Sequence, residues 1–404
     1  MTSTPSTPLI PTTPSTPSTL VSPAGIQHLV LLGAGHSHLH VLQGLAQRRP
    51  ANLNITVIAP FPQQLYSGML PGFVAGHYTL EQCVIPLDGL LARCGARYIQ
   101  SMAVAIDAAA QSVTLANGES VSYDWLSLNT GPVMDREKIE ATMPGAREHA
   151  LFVRPIEAFG QLWPQVAALA YSRPIHLVVV GAGAAGLELA MAAAHALRSP
   201  AYPAGSRVTL LSGGVPAAQN YPAGVQRRVL IALQRLRISV LPDTCVGMEP
   251  GEILLASGAR LACDAPLLAL GAQAPAWLAG SGLALDEAGF VAVNRFQQST
   301  SHPNVFAAGD VASRADAPHP RSGVQAVRAG PPLLDNLRAA LQAEPLQPYL
   351  PPKRTLSLLS CGDCYAIAAW GDFSVEGRWV WRWKDYIDQK FVASYATSAS
   401  PAFV

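Results

Sequence analysis

Three turns in this 404-residue chain carry residue types that can do chemistry. Gly181-Ala182-Gly183-Ala184-Ala185-Gly186 has glycines at G-x-G-x-x-G spacing. Gly181 permits a tight turn, Gly183 lets the backbone approach a pyrophosphate, and Gly186 lets a helix pack closely on its strand. Gly33-Ala34-Gly35-His36-Ser37-His38 repeats the pattern with His38 in the place of the third glycine. Either the helix packs more loosely on its strand there, or the His38 side chain points away. Two such turns imply two nucleotides, each with its pyrophosphate on the free N–H groups of a helix N-terminus. At the third turn, Gly309-Asp310, a carboxylate at a strand end could accept hydrogen bonds from a polyol. Thr130-Gly131, a small hydroxyl residue and a glycine, also permits close approach of a ligand.

Other reactive types are scattered. Cys361-Gly362-Asp363-Cys364 has the spacing of a redox pair or of half a zinc site, and no second pair or histidine pair lies nearby to complete zinc. His36, His38 and His40 lack a neighbouring cysteine or acid, so they read as a polar helix start and no metal is expected. Arg227 and Arg228 could favour a 2′-phosphate, or simply form a solvated helix face. The acid that usually holds a ribose is missing after both second strands, where Ala59-Pro60 and Ser212-Gly213 stand instead.

The elements that must position these residues follow from periodicity. Apolar, β-branched runs at Gln27–Leu32, 54–59, 125–128, 177–180, 207–211 and 305–307 read as buried parallel strands. Helices are expected from 39 to 46, after Gly183, within 150–173, over 229–236 and from Gly323 to Leu341. The last could place the partial positive charge of its N-terminus near an electron-rich ring. Arg378-Trp379-Val380-Trp381-Arg382-Trp383-Lys384 alternates aromatic with charged residues and reads as a strand with an aromatic face, followed by a helix to Tyr395. Residues 1–25 repeat Ser-Thr-Pro and read as a disordered tail, neither a secretory signal nor a mitochondrial presequence.

Bulk numbers set the class. Half the residues are hydrophobic and only 13% are charged, which permits a large core. The net charge of +1 gives no electrostatic basis for binding nucleic acid. No apolar run reaches the roughly 20 residues needed to span a bilayer. Six cysteines without regular spacing fit a reducing compartment.

Together the two Gly-rich turns, Thr130-Gly131 and Gly309-Asp310 resemble the flavoproteins of the pyridine nucleotide-disulfide oxidoreductase superfamily. Within it the chain is similar to type II NADH dehydrogenases and apoptosis-inducing-factor-like proteins. It is similar also to a bacterial flavoprotein family found alone or fused to selenophosphate synthetase. The matching stretches are 35–40, 66–72, 323–330 and 376–385. The resemblance implies an α/β fold with two Rossmann-like domains, the NAD(P) domain inserted in the FAD domain, and a small C-terminal α+β region. The expected divisions are 26–150 and 286–345 for the FAD domain, 151–285 for the NAD(P) domain, and 346–404 for the C-terminal region.

The same resemblance implies FAD held by Gly33, Ala34, Gly35, His36 and Ser37 around the pyrophosphate. It places Thr130 and Gly131 near the adenylate, and Gly309 and Asp310 at the ribityl chain. NAD(P)H would bind at Gly181, Gly183 and Gly186, with Glu188 near the nicotinamide and flavin and Gln325 on the acceptor side. The implied reaction is hydride transfer from NAD(P)H to flavin and then to a quinone-like acceptor. One alternative is sulfide or selenide oxidation by Cys361 and Cys364; another is a flavin redox sensor of low turnover. The cysteine positions match neither glutathione reductase nor thioredoxin reductase. A homodimer is compatible with this plan. The expected location is the cytoplasm, or the inner face of the membrane through peripheral contact of the Trp-rich C-terminal region.

Overall fold

Hydrophobic runs with period-two or continuous burial build two five-stranded parallel sheets. The computed structural model describes residues 25–396, so the Ser-Thr-Pro tail lies outside the described residues. In the first sheet the strand order is Val305–Ala307, Trp125–Leu128, Gln27–Leu32, Leu53–Ala59, Arg97–Gln100. In the second it is Leu151–Phe152, Ala265–Leu268, His176–Val180, Arg207–Leu211, Ser239–Leu241. The strand Val305–Ala307 rejoins the first sheet only after the second is complete. The second unit is therefore an insertion in the first, an α/β architecture of two Rossmann-like units.

The two units repeat one another down to their fasteners. In the first, His28 N–H donates to Asp124 Oδ2 at 2.6 Å and the His28 ring bonds Thr56 Oγ1 at 2.8 Å. In the second, His176 N–H donates to Asp264 Oδ2 at 2.7 Å and its ring bonds Thr209 Oγ1 at 2.8 Å. Each trio locks the start of the central strand to both neighbours. Leu29, Leu31, Leu39, Leu42 and Leu45 are fully buried between the first sheet and its helix His36–Gln47. Each such leucine contributes about 1.5–3 kcal/mol by leaving water.

The two turns differ at the third glycine position. A Cβ on Gly186 would overlap the carbonyl oxygen of Gly181, so the second helix needs glycine there. The first turn solves the contact another way. The His38 ring is fully buried beside the strand, its Nδ1 donating to the Gly33 carbonyl at 2.5 Å. Its Nε2 accepts from Ser127 Oγ at 2.8 Å. The packing is neither loosened nor avoided: the imidazole replaces close backbone contact by two hydrogen bonds. Burial holds this histidine's pKa down to about 4, which keeps that tautomer neutral.

The C-terminal region is an antiparallel sheet, Leu356–Ser360, Ala366–Trp370 and Phe373–Gly377, followed by the helix Arg378–Ala396. The Trp-rich segment is thus helical, where its alternation reads as a strand. The reason is a four-residue stripe: Val380, Lys384, Asp388 and Val392 are buried along one seam. Trp379 and Trp383 face outward with ring centroids 6.5 Å apart, while Trp381 meets His77 edge-on at 5.3 Å. The region braces both units. Arg228 of the second unit donates to Glu376 Oε1 at 2.6 Å and to the Ser374 carbonyl at 3.2 Å, and Lys384 donates to the Gly68 carbonyl of the first at 2.6 Å.

Candidate functional site

A cavity of about 500 Å³ opens along the carboxyl ends of the first sheet. Gly33, Ala34, Gly35 and His36 line it from the first turn, Ile58 to Phe61 from the next strand end, and Thr130 and Gly131 from a third. Asp310 and Gly323 close it from the later part of the chain, with Ser67 from the loop 66–72. Met102, Val104, Pro132, Met134 and Trp277 give it apolar walls. This is where an open α/β sheet takes a dinucleotide, and the size and mixed lining suit one.

Asn129 builds the floor. Its Oδ1 accepts from the N–H groups of Ser37 and His38 at 3.0 and 3.1 Å, capping the first helix from another strand. Its Nδ2 donates to the Ala308 carbonyl at 2.6 Å, and its backbone oxygen accepts from Gly35 N–H at 3.2 Å. A Cβ on Gly33, where φ is +85°, would meet the Asn129 backbone at 2.6 Å. A Cβ on Gly35 would overlap the Asn129 side chain itself. Thr130 and Gly131 stand out by residue type, whereas Asn129 is marked in the sequence only by its place at the end of a central strand.

Electrostatics follow from burial. Desolvation, with Arg154 nearby, lowers the His36 pKa to about 4, and its Nε2 is buried without a partner. Burial raises the Asp310 carboxyl above the usual range, opposed by Arg154 and Arg321, and raises that of Glu157, opposed by backbone N–H groups and Arg154. Asp310 and Glu157 are the carboxylates that line the cavity, and neither stands after the strand Leu53–Ala59.

Besides the second turn, four proposed site residues do not line this cavity: Ser37, Gly309, Gln325 and Glu188. Ser37 is fully buried behind the turn, its hydroxyl donating to the Ala326 carbonyl at 2.6 Å. Gln325 lines a smaller polar pocket of about 180 Å³ with Gly309, Asp310, His319 and Arg321, and its buried Oε1 has no hydrogen-bond partner. Glu188 faces the C-terminal sheet, where its Oε1 accepts from Ser360 N–H at 2.7 Å. Burial raises its pKa to about 7 against the opposing pull of Lys384. Lys384 in turn is paired with Asp388 at 2.5 Å in the packed seam of the last helix.

The second turn has no such enclosure. Gly183, Ala184 and Ala185 are exposed, a Cβ on Gly183 would meet open space, and no side chain bonds the first N–H groups of the helix Ala184–Ala196. The residue matching Asn129 across the sheet is Ala269, whose side chain cannot cap. Arg228 is committed to the C-terminal sheet and leaves only the exposed Arg227 of the pair considered for a 2′-phosphate. Cys361 is fully buried and its thiol is pushed up to about 12 by burial. Cys364 is partly exposed, 3.7 Å from His77 Nε2, and burial raises its pKa also. Both are free thiols that line neither pocket. No group of three metal-ligating side chains occurs among the described residues.

Comparisons with known proteins agree with this architecture. An NADH dehydrogenase-like protein of Mycobacterium tuberculosis is 29% identical over 72% of this chain and 74% of its own length. The solved sulfide:quinone oxidoreductase of Aquifex aeolicus superposes with a TM-score of 0.75 at 19% identity, covering 92% of both chains. NDH2 from Plasmodium falciparum, solved in complex with NADH, gives 0.73 at 13% identity over 93% of this chain and 99% of its own. At those identities the two structures speak for the fold. Residues 27–330 match the pyridine nucleotide-disulphide oxidoreductase family model, spanning both nucleotide units, and the chain belongs to that family.

Proposed function

We propose that this protein oxidises NAD(P)H and passes the electrons through FAD to a quinone-like acceptor. Family membership makes it an FAD- and NAD(P)H-dependent oxidoreductase. The observation that carries the finer reading is the contrast between its two turns. The first opens into a built cavity, which suits a resident nucleotide. The second offers bare helix N–H groups to solvent, which suits one that binds and leaves. Bound FAD supplies a ring that accepts hydride and releases electrons to a second substrate. Gly33 to His36 and Asp310 would hold it, Thr130 and Gly131 would let it approach the strand end, and Gly181, Gly183 and Gly186 would take the nicotinamide nucleotide. The name of the mycobacterial relative supports the same donor. The thiols of Cys361 and Cys364, held protonated by burial, favour this reading over chalcogen oxidation.

Glu188 would hold a proton at the seam between the second helix and the C-terminal region. With one carboxylate oxygen bonded to Ser360 N–H, the other is free to carry hydrogen. Gln325 would present its unpartnered Oε1 to the acceptor side.

The outward face of the last helix suits a membrane surface. Trp379, Trp383, Tyr386 and Ile387 are exposed there. Arg378, Arg382 and Lys390 are interleaved with them, a pattern that favours an anionic bilayer interface. No described helix is long and apolar enough to cross a membrane.

Three outcomes are expected. Purified protein should contain FAD and oxidise NADH or NADPH at a rate that saturates with a short-chain soluble quinone; flavin-containing protein whose oxidation rate ignores quinone would contradict the acceptor. Folding raises the Glu188 pKa from 4.5 to about 7, so it favours the protonated form. The stability that this gives is complete below the unfolded value and is lost as pH rises through about 7. Urea midpoints should therefore fall across that window in the wild type relative to Glu188→Gln, and parallel curves would remove the assignment. Sedimentation with vesicles of mixed neutral and anionic lipid should deplete the wild type and spare the double variant Trp379→Ser, Trp383→Ser; equal binding of both would exclude this face.

A further inference from the structure

The charge inventory of the large cavity does not balance for its proposed occupant. A pyrophosphate is a dianion, and an anion at a Rossmann turn is usually met by the free N–H groups of the helix. Here Asn129 Oδ1 has taken the N–H groups of Ser37 and His38, and Asn129 O has taken that of Gly35. The helix end is therefore less able to receive phosphate than an uncapped one such as the second turn. The cavity also carries two carboxyl groups, Asp310 and Glu157. His36, which lines it as well, is kept uncharged by burial. Against these, Arg154 is the one lining residue with a full positive charge.

Arg154 is also uncommitted. It forms no ion pair among the described residues, unlike Arg228, Arg235, Arg314 and Arg321. Its field reaches His36, Asp310 and Glu157 alike, which puts the guanidinium between the first turn and the later chain. A half-buried guanidinium that forms no ion pair is available to an anionic ligand, and its planar fork suits phosphate oxygens.

We propose that Arg154 is the counter-charge for the FAD pyrophosphate and replaces the N–H groups that Asn129 consumes. The proposal rests on the FAD reading above. Arg154 stands on the connection between the strand Leu151–Phe152 of the second sheet and the helix Ile156–Ser172. Cofactor bound to it would thus join the start of the second unit to the first turn.

The test is FAD release from the holoprotein, followed by the fluorescence of freed flavin on dilution over a series of sodium chloride concentrations. Arg154→Gln should raise the FAD Kd by about 10–100-fold and flatten its dependence on salt. Arg154→Lys should keep the salt dependence while losing part of the affinity, because it retains charge without the fork. Arg228→Gln, whose bonds lie at the C-terminal sheet, should release FAD as the wild type does. An Arg154→Gln holoprotein with wild-type affinity and salt dependence would overturn the proposal and leave the FAD reading standing. So would an Arg154→Lys protein as weak and as salt-insensitive as the glutamine variant. Wild-type protein that neither contains FAD nor takes it up would overturn the FAD reading itself.

Discussion

The hydrogen bonds of the Asn129 side chain are the constraint on which the first unit depends. One amide joins three chain segments that are distant in sequence: the helix start at Ser37 and His38, its own strand end, and Ala308 just before Gly309-Asp310. The oxygen ends a helix that would otherwise present bare donors, and the nitrogen ties down the returning strand. Because the backbone of Asn129 lies against Gly33 and its amide lies against Gly35, neither glycine has room for a side chain. The glycines that mark this turn thus serve a protein contact as much as a ligand. That arrangement makes a floor to which a resident cofactor can be fitted, and it shifts the burden of charge onto Arg154.

The second unit shows what the same topology does without that amide. Its central strand is fastened by an identical His, Thr and Asp trio, and its glycine turn has the same register against the neighbouring strand. With Ala269 in the place of Asn129, the helix N-terminus stays open. The two units thereby differ at their turns through a few positions, one turn enclosed and the other open. The C-terminal region then sets the two units against each other, using Arg228 with Glu376 on one side and Lys384 with Gly68 on the other. Glu188 lies within that contact, so the protonation of this carboxyl, on the helix that follows the second Gly-rich turn, depends on the region that braces it.

Much of this was legible in the sequence because it depends on local pattern. The strands Gln27–Leu32 and Arg207–Leu211, both Gly-rich turns and the helix from Gly323 to Leu341 follow from periodicity and turn chemistry. The family resemblance added the inserted topology. What the sequence did not reveal are pairings across the sheet. His38 reads as a defect until Ser127 is brought to its ring. Ser37 reads as a phosphate contact until its hydroxyl is found on Ala326. Arg154 sat unremarked in a helical connection, since nothing local shows that it will be the cation of a cavity formed by four other segments. The Trp-rich segment misled for a different reason: its period-two aromatic pattern coexists with a period-four stripe, and the stripe is what packs.

On the proposed function, a nucleotide at the open turn reduces a flavin held in the enclosed cavity. An anaerobic titration of the purified protein with NADH, and separately with NADPH, tests it most directly. The oxidised flavin band at about 450 nm should be lost with one of the two donors, completely at one equivalent. A yellow protein whose band survives excess of both donors would contradict it.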